Sequence, residues 1–379
     1  MRKPHAVYDT PARVEFRAAG RSHTVHEIAL VFPDLYFPRE LERDDSPALA
    51  LPGLEHITRF GQRSGLPQGW RPWLANWAGS PELASLPPAL VAARIAACST
   101  TPTSVAGASL PGGAVWMATP VHLVASLTSL HLDRRSVLYL ADSEELALCA
   151  DFARTFQGSG YHLTPLEGGG LLLFGAATSA VETCEPARAI GENVAERLPS
   201  GPGAAALRKL GAEIEMWLHG HPLNEARLRR GELGITSLWL WGGGESGELA
   251  RLREWTPAAS ARARVAFGSD ASLRALWAHI DAKVQPLPPQ LAQILSYPAE
   301  GSAVLVIEAG RMLHSNQNWM LPEALAEIDR QFLAPAVQAL QHRQVGVLEV
   351  LANDWRVSVR ATDRLRLWRR ARPGLSGLR

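Results

Sequence analysis

Histidine, asparagine, arginine and glycine crowd one short stretch of this 379-residue chain. His221-Pro222-Leu223-Asn224 is followed by Arg227, Gly231 and the run Ser237-Leu238-Trp239-Leu240-Trp241-Gly242-Gly243-Gly244. In order these read as a helix end, a short polar helix, a buried strand and a glycine loop. A strand that ends in glycines lets backbone N–H groups approach a ligand, because no Cβ intervenes. Arg227 adds a permanently charged, forked donor suited to phosphate or carboxylate. The expectation is that His221, Asn224, Arg227, Gly242, Gly243 and Gly244 line one concave anion-binding site. The same residues also read as punctuation, with Asn224 capping a helix that starts at Glu225 and Gly231 ending it.

Other constellations carry less chemistry. His219 and His221 form an HxH pair, a spacing that lets two imidazoles share zinc on a strand. Here the pair straddles a helix end and a proline, and HExxH is absent. Gly242, Gly244 and Gly247 satisfy G-x-G-x-x-G, ahead of a helix expected over 248–255. Asp270 then ends the next strand, where a ribose-binding acid would stand. That keeps a dinucleotide-binding enzyme open, although Pro257 interrupts the helix and the motif lies deep in the chain. No G-x-S-x-G elbow and no P-loop occur. The catalytic residues stay unassigned.

These residues need a frame, and the chain has material for a large one. Apolar residues make up 46% of it, enough for a substantial core. The 38 basic residues nearly cancel the 37 acidic ones, so no global field favours nucleic acid or an anionic membrane. Arginines 360, 364, 366, 369, 370, 372 and 379 crowd the C-terminal end, as a solvated strand and tail would. Cys98, Cys149 and Cys184 are odd in number and far apart, which fits a reducing compartment. With no signal-peptide pattern over residues 1–25 and no apolar run of membrane length, the expected location is the cytoplasm.

The frame reads as α/β. An arm over 1–25 precedes a nearly all-apolar strand that ends at Asp34, the pattern of a strand covered on both faces. Trp70, Trp73 and Trp77 fall at roughly helical spacing and read as packing residues, with a helix near 89–98. Strands over 115–124, 136–140, 161–165 and 171–174, with a helix over 142–157, read as a small α+β module. Helix–strand alternation then resumes. A helix carries Leu207, Leu210, Ile214, Trp217 and Leu218 on one face. Strands follow over 238–241, 265–267, 303–308 and 345–351, with helices near 271–282 and 322–342. Strands over 355–360 and 364–368 are placed at an edge.

The block from Glu213 to Gly244 resembles the archaeal-type cofactor-independent phosphoglycerate mutases of the alkaline-phosphatase superfamily. The matching residues are His221, Pro222, Leu223, Asn224, Arg227, Gly231, Trp241, Gly242 and Gly244. Over more of its length the chain is similar to the RpfE-type regulatory proteins. That likeness is carried by the leading aliphatic strand, Thr119-Pro120-Val121-His122-Leu123, the helix opening Ser143-Glu144-Glu145, and Leu365-Arg366-Leu367-Trp368-Arg369-Arg370. The resemblance implies an alkaline-phosphatase-like, mostly parallel sheet core over 1–111 and 177–379, interrupted by an inserted α+β cap over 112–176.

The chain departs from that pattern where the mutases hold metal. The first strand ends in Asp34-Leu35, not Asp-Gly, and the late strand in Ala352-Asn353-Asp354-Trp355, not Asp-His. Asp34 and Asp354 stand as remnants. Val124 and Ala125 occupy the place of an arginine in the inserted module. The expectation is therefore a regulatory or degenerate phosphotransferase that keeps an anion pocket, with no cofactor. The ligand would be a phosphorylated or carboxylate small molecule, and no nucleic acid or membrane partner is expected. The alternative is an active mutase-like phosphotransferase with divalent metal.

Overall fold

The computed structural model describes residues 25–36, 49–98, 113–175, 181–248, 264–295, 301–352, 354–365 and 369–370. The segments expected over 1–25, 248–255 and 364–368 lie outside the described residues, except for Val25, Glu248 and residues 364–365. The strands are β1 (Val25–Phe32), β2 (Gln62–Gly65), β3 (Ala114–Ala125), β4 (Leu130–Val137), β5 (His162–Pro165), β6 (Leu171–Phe174), β7 (Ser237–Glu245), β8 (Arg264–Phe267), β9 (Ser302–Val306), β10 (Val345–Ala352) and β11 (Trp355–Arg360). The helices are α1 (Pro52–Phe60), α2 (Trp70–Trp77), α3 (Pro88–Cys98), α4 (Asp142–Thr155), α5 (Pro186–Ala189), α6 (Ala204–His219), α7 (Pro222–Arg229), α8 (Ala271–His279), α9 (Leu291–Leu295), α10 (Ala309–Ser315), α11 (Leu321–Ile328) and α12 (Ala334–Gln341).

The fold is a mixed α/β one built on two sheets. The first has the order β2-β11-β10-β1-β9-β8. Strands β10, β1, β9 and β8 run parallel, and β11 and β2 add an antiparallel edge beside β10. β1 is apolar from Ile28 to Phe32 because both its faces are covered there. Ile28, Leu30 and Phe32 enter one core with α1, α11 and α12. Ala29 and Val31 enter the other, with α2, α3 and α8. The single helix expected over 322–342 is α11 and α12 joined by a π-helical turn over Asp329–Leu333. Asp329 explains the turn's position: its carboxylate accepts the Gly53 and Leu54 N–H groups at 3.1 and 2.8 Å, capping α1 across the core.

The second sheet has the order β4-β3-β6-β5, with β7 on the far edge of β3. One face packs Val115, Met117, Trp239 and Trp241 towards α2, α3 and α8. The other packs Trp116, Leu238 and Leu240 against α4 and α6. The second sheet thus reaches beyond the segment 112–176. β3 is 12 residues long and has two edges to satisfy. β6 and β4 share one edge, and β7 covers Ala114–Val121 on the other.

β4 spans 130–137, where 136–140 is the expected strand. Asp133, Arg134 and Arg135 disguise it. Both arginines reach from the second sheet into the first layer: Arg134 donates to Asp34 O and Tyr36 O, and Arg135 to Gln317 O and Trp319 O.

Candidate functional site

The parallel strands β1, β9 and β8 end on the same side, facing the second sheet. A cavity of about 300 Å³ lies there, lined by residues just past those ends and by β3, β4 and α4. Open α/β sheets bind ligands in this position. Asp34, two residues past β1, accepts the Ala309 and Gly310 N–H groups at 3.0 and 2.5 Å. Past β8, Asp270 caps α8 through the Leu273 N–H at 3.0 Å. Past β9, Glu308 accepts Ser269 Oγ at 3.0 Å and Arg311 Nε at 3.1 Å. Arg311 lies over the Tyr139 ring, 4.1 Å from its centroid. Its terminal nitrogens have no hydrogen-bond partner among the described residues.

The charges lining this cavity are mixed. Arg71, Arg134 and Arg311 face Asp34, Asp142, Glu145, Glu185, Asp270 and Glu308. Burial raises the Asp34 carboxyl above its ordinary range, against the opposing pull of Arg134 and the two N–H groups. Burial likewise raises Glu308, where Arg311 opposes it and Asp270 and Asp34 reinforce it. These acids keep their protons more readily than in water.

Glu145 on α4 is the most accessible of these acids to experiment. Burial pushes it up to about 7, outweighing the Gly170 N–H donated to it. That hydrogen bond is 2.7 Å long. Between its ordinary value of 4.5 and about 7 the folded chain holds this proton more tightly than the unfolded chain does. Stability contributed by this group therefore falls as pH rises through that window. Glu145→Gln is expected to flatten that part of the melting-temperature profile, read by circular dichroism. A variant profile as steep as the parent's would assign the slope to other groups.

Two-metal chemistry needs several carboxylates and imidazoles free to ligate. Both Asp34 oxygens already accept N–H groups, and Arg188 forks onto both oxygens of Asp354. Among the described residues no group of three or more His, Cys, Asp and Glu side chains is placed to hold a metal. The donor set does not fit a two-metal centre.

The residues expected to form the site are not brought together. His221 Nδ1 accepts the Leu223 N–H at 3.2 Å and so caps α7, while Nε2 lies 3.0 Å from Asp151 Oδ2. The Asn224 side chain ties α6 to the segment before β7, through Leu218 O and both backbone groups of Ile235. Arg227, 1% exposed, turns its Nε to Leu233 O and its NH1 to Glu144, while its buried NH2 has no hydrogen-bond partner among the described residues. Gly242, Gly243 and Gly244 are not a loop after the strand but part of β7. Gly242 lines a different cavity, and its N–H donates to Thr183 Oγ1 at 3.1 Å. With Gly244 paired to β3 and Gly242 and Gly243 forming a bulge inside β7, the G-x-G-x-x-G reading loses its phosphate loop. Of the two remnants, Asp34 lines the strand-end cavity and Asp354 does not.

Sequence reasoning missed Ser269, Glu308, Arg134, Tyr139, Glu145 and Arg311. A signal was available for the first two. Each stands directly after a short apolar run, Val265-Ala266-Phe267-Gly268 and Val304-Leu305-Val306-Ile307, where a parallel strand delivers its functional residues. The arginines had no such signal, because their targets lie far away in sequence.

Comparison with known proteins gives local likeness. No protein-family model matches the chain. A stretch of 64 residues is 36% identical to a probable 2,3-bisphosphoglycerate-independent phosphoglycerate mutase of Geobacter sulfurreducens. The match covers 17% of this chain and only 16% of that relative's length. Among solved structures, the cofactor-independent phosphoglycerate mutase of Thermoplasma acidophilum aligns over 88% of this chain and 89% of its own, at 16% identity and a TM-score of 0.37. A Pyrococcus horikoshii protein aligns over 90% of both chains at 13% identity and a TM-score of 0.43. No helix among the described residues is long and apolar enough to cross a membrane.

Proposed function

We propose that the chain is a phosphoglycerate-mutase-like binding protein of the regulatory, RpfE type, cytoplasmic, that holds a phosphorylated or carboxylate small molecule without turning it over. Arg311 is its principal anion contact, and Arg134 adds charge beside it. The observation that supports this reading is the commitment of the strand-end acids. Asp34 takes two backbone N–H groups, and Glu308 takes Ser269 and Arg311. An acid so engaged holds the fold and the arginine in place, and it is not free to ligate metal.

Calorimetry with 3-phosphoglycerate is expected to show binding that Arg311→Ala weakens by about 1.5–3 kcal/mol, the usual worth of a hydrogen bond to a charged group. Elemental analysis of the purified protein is expected to find no stoichiometric divalent metal, and mutase assays no turnover. One observation favours a second reading, an active phosphotransferase. Ser269 Oγ sits 3.0 Å from the Glu308 carboxylate, and a hydroxyl beside an acceptor is how nucleophiles are activated. Turnover that a chelator abolishes and Ser269→Ala removes would move the conclusion to that reading.

A further inference from the structure

Six acids and only three arginines line the strand-end cavity. An anion at Arg311 does not account for that surplus. Arg71 takes Glu185 at 2.8 Å and Asp270 at 3.6 Å. Arg134 donates to the Asp34 backbone, and its charge offsets the Asp34 carboxyl. Arg311 Nε takes Glu308 at 3.1 Å. Asp142 and Glu145, both in the first turn of α4, are left with no cation bonded to either among the described residues.

These two acids differ in burial. Asp142 is exposed, and water screens it. Glu145 is 4% exposed. Its Oε1 accepts the Gly170 N–H at 2.7 Å. Its Oε2 accepts no hydrogen bond among the described residues, yet it is not a sealed atom: it keeps open surface, and the side chain lines the cavity. Arg274 on α8 is a nearby cation, but its terminal nitrogens are turned to Gly168 O and Gly169 O. Arg311 on α10 is near enough for its charge to pull on the Glu145 carboxyl, and no bond joins the two. A buried carboxylate without a bonded cation is unfavourable, and Glu145 is accordingly pushed up to about 7. A cation bound at Oε2 would remove that penalty directly. Two unspent groups of opposite sign thus face one cavity of about 300 Å³, the terminal nitrogens of Arg311 and the Oε2 of Glu145.

We propose that the anion held at Arg311 belongs to a small zwitterion whose ammonium group donates to Glu145 Oε2, so that the ligand is an amino phosphate or amino acid rather than a hydroxy acid. This rests on the reading of the strand-end cavity as an anion site. It adds the group that the rest of the ligand carries.

The test is calorimetry on the full chain with 3-phosphoglycerate and with both enantiomers of O-phosphoserine, at about pH 8, above the Glu145 value of about 7. The compounds share their carbon skeleton, phosphate and carboxylate. They differ in one group, an ammonium in place of a hydroxyl, so the affinity ratio reports the ammonium. The better enantiomer of O-phosphoserine is expected to bind about ten-fold or more tighter than 3-phosphoglycerate, the effect of one hydrogen bond to a charged group. Glu145→Gln keeps an acceptor for the Gly170 N–H and removes the charge. It is expected to abolish the advantage and to bind 3-phosphoglycerate at least as tightly as the parent does, which also shows that the variant has folded. Asp142→Asn, at the exposed acid of the same turn, is expected to change the ratio by about two-fold or less, because exposed charges are screened. Equal losses in the two variants would mean a general field rather than a contact and would overturn the proposal. An advantage that survives Glu145→Gln would overturn it as well. O-Phosphoserine no tighter than 3-phosphoglycerate, with the latter still binding, would overturn the ammonium site and leave the anion site standing. Binding of none of the compounds would overturn both readings.

Discussion

Arg227→Ala is expected to cost about 3–5 kcal/mol of folding stability, the range for removing one partner of a buried ion pair. The guanidinium is 1% exposed. Its NH1 lies 2.8 Å from Glu144 Oε2 and its Nε donates to Leu233 O at 2.8 Å. Glu144 is itself buried and accepts the Ala141 N–H at 3.1 Å, closing the first turn of α4. Arg230 holds its other oxygen at 2.5 Å, but from a half-exposed position. Truncating Arg227 therefore removes the buried cation from a buried carboxylate and leaves Glu144 tied to the end of α7 only through the half-exposed Arg230. Urea unfolding would show a large drop in midpoint, while ligand affinity per folded molecule stays the same. The paired change Glu144→Leu with Arg227→Met is expected to recover much of the loss, since a well-packed apolar pair can replace a buried ionic one. An unchanged midpoint together with lost anion binding would instead return Arg227 to the ligand.

That result bears on why the frame was legible and the site was not. The runs Ile28–Phe32 of β1 and Ala303–Val306 of β9 are apolar because the parallel sheet is covered on both faces, and that pattern survives in the sequence. α6 shows its buried face through Leu207, Leu210, Ile214 and Leu218, all of which are core residues. Special residue types, by contrast, mark a special environment without saying which one. A buried arginine looks the same in sequence whether it meets a phosphate or Glu144, 83 positions away. His221 and Asn224 are likewise absorbed by backbone groups at a helix terminus. The strand-end cavity is assembled from Asp34, Arg134, Glu308 and Arg311, which only the crossing of β1, β4 and β9 brings together. β2, a four-residue exposed strand, carried no apolar pattern at all and forms because β11 offers it an edge.

The glycine run poses the same choice between ligand and frame, and Gly243→Val is expected to decide it. Between the pairs Val115↔Gly244 and Met117↔Trp241, β3 contributes Trp116 alone while β7 contributes Gly242 and Gly243. This is a β-bulge, two residues opposing one. Gly242 supplies the left-handed backbone it needs, with φ at 59°. Gly243 has a different duty. A Cβ there would fall inside the van der Waals envelope of Cε3, Cδ2 and Cζ3 of the Trp116 ring. The ring is 2% exposed and packed among the residues that join β3 to α4 and α6, so it has no room to turn away. Overpacking of this kind costs typically about 1–3 kcal/mol, and a β-branched side chain pressed on an immobile ring belongs at the upper end. The loss should be coupled to the ring. In the double variant with Trp116→Leu the two costs should fall short of their sum by about 1 kcal/mol or more, because neighbours that share one space are not additive. Full additivity, or a Gly243→Val protein with parental stability and impaired anion binding, would mean that the glycines are there for a ligand. The bulge geometry predicts the coupling, because the missing side chain and the indole occupy the same volume.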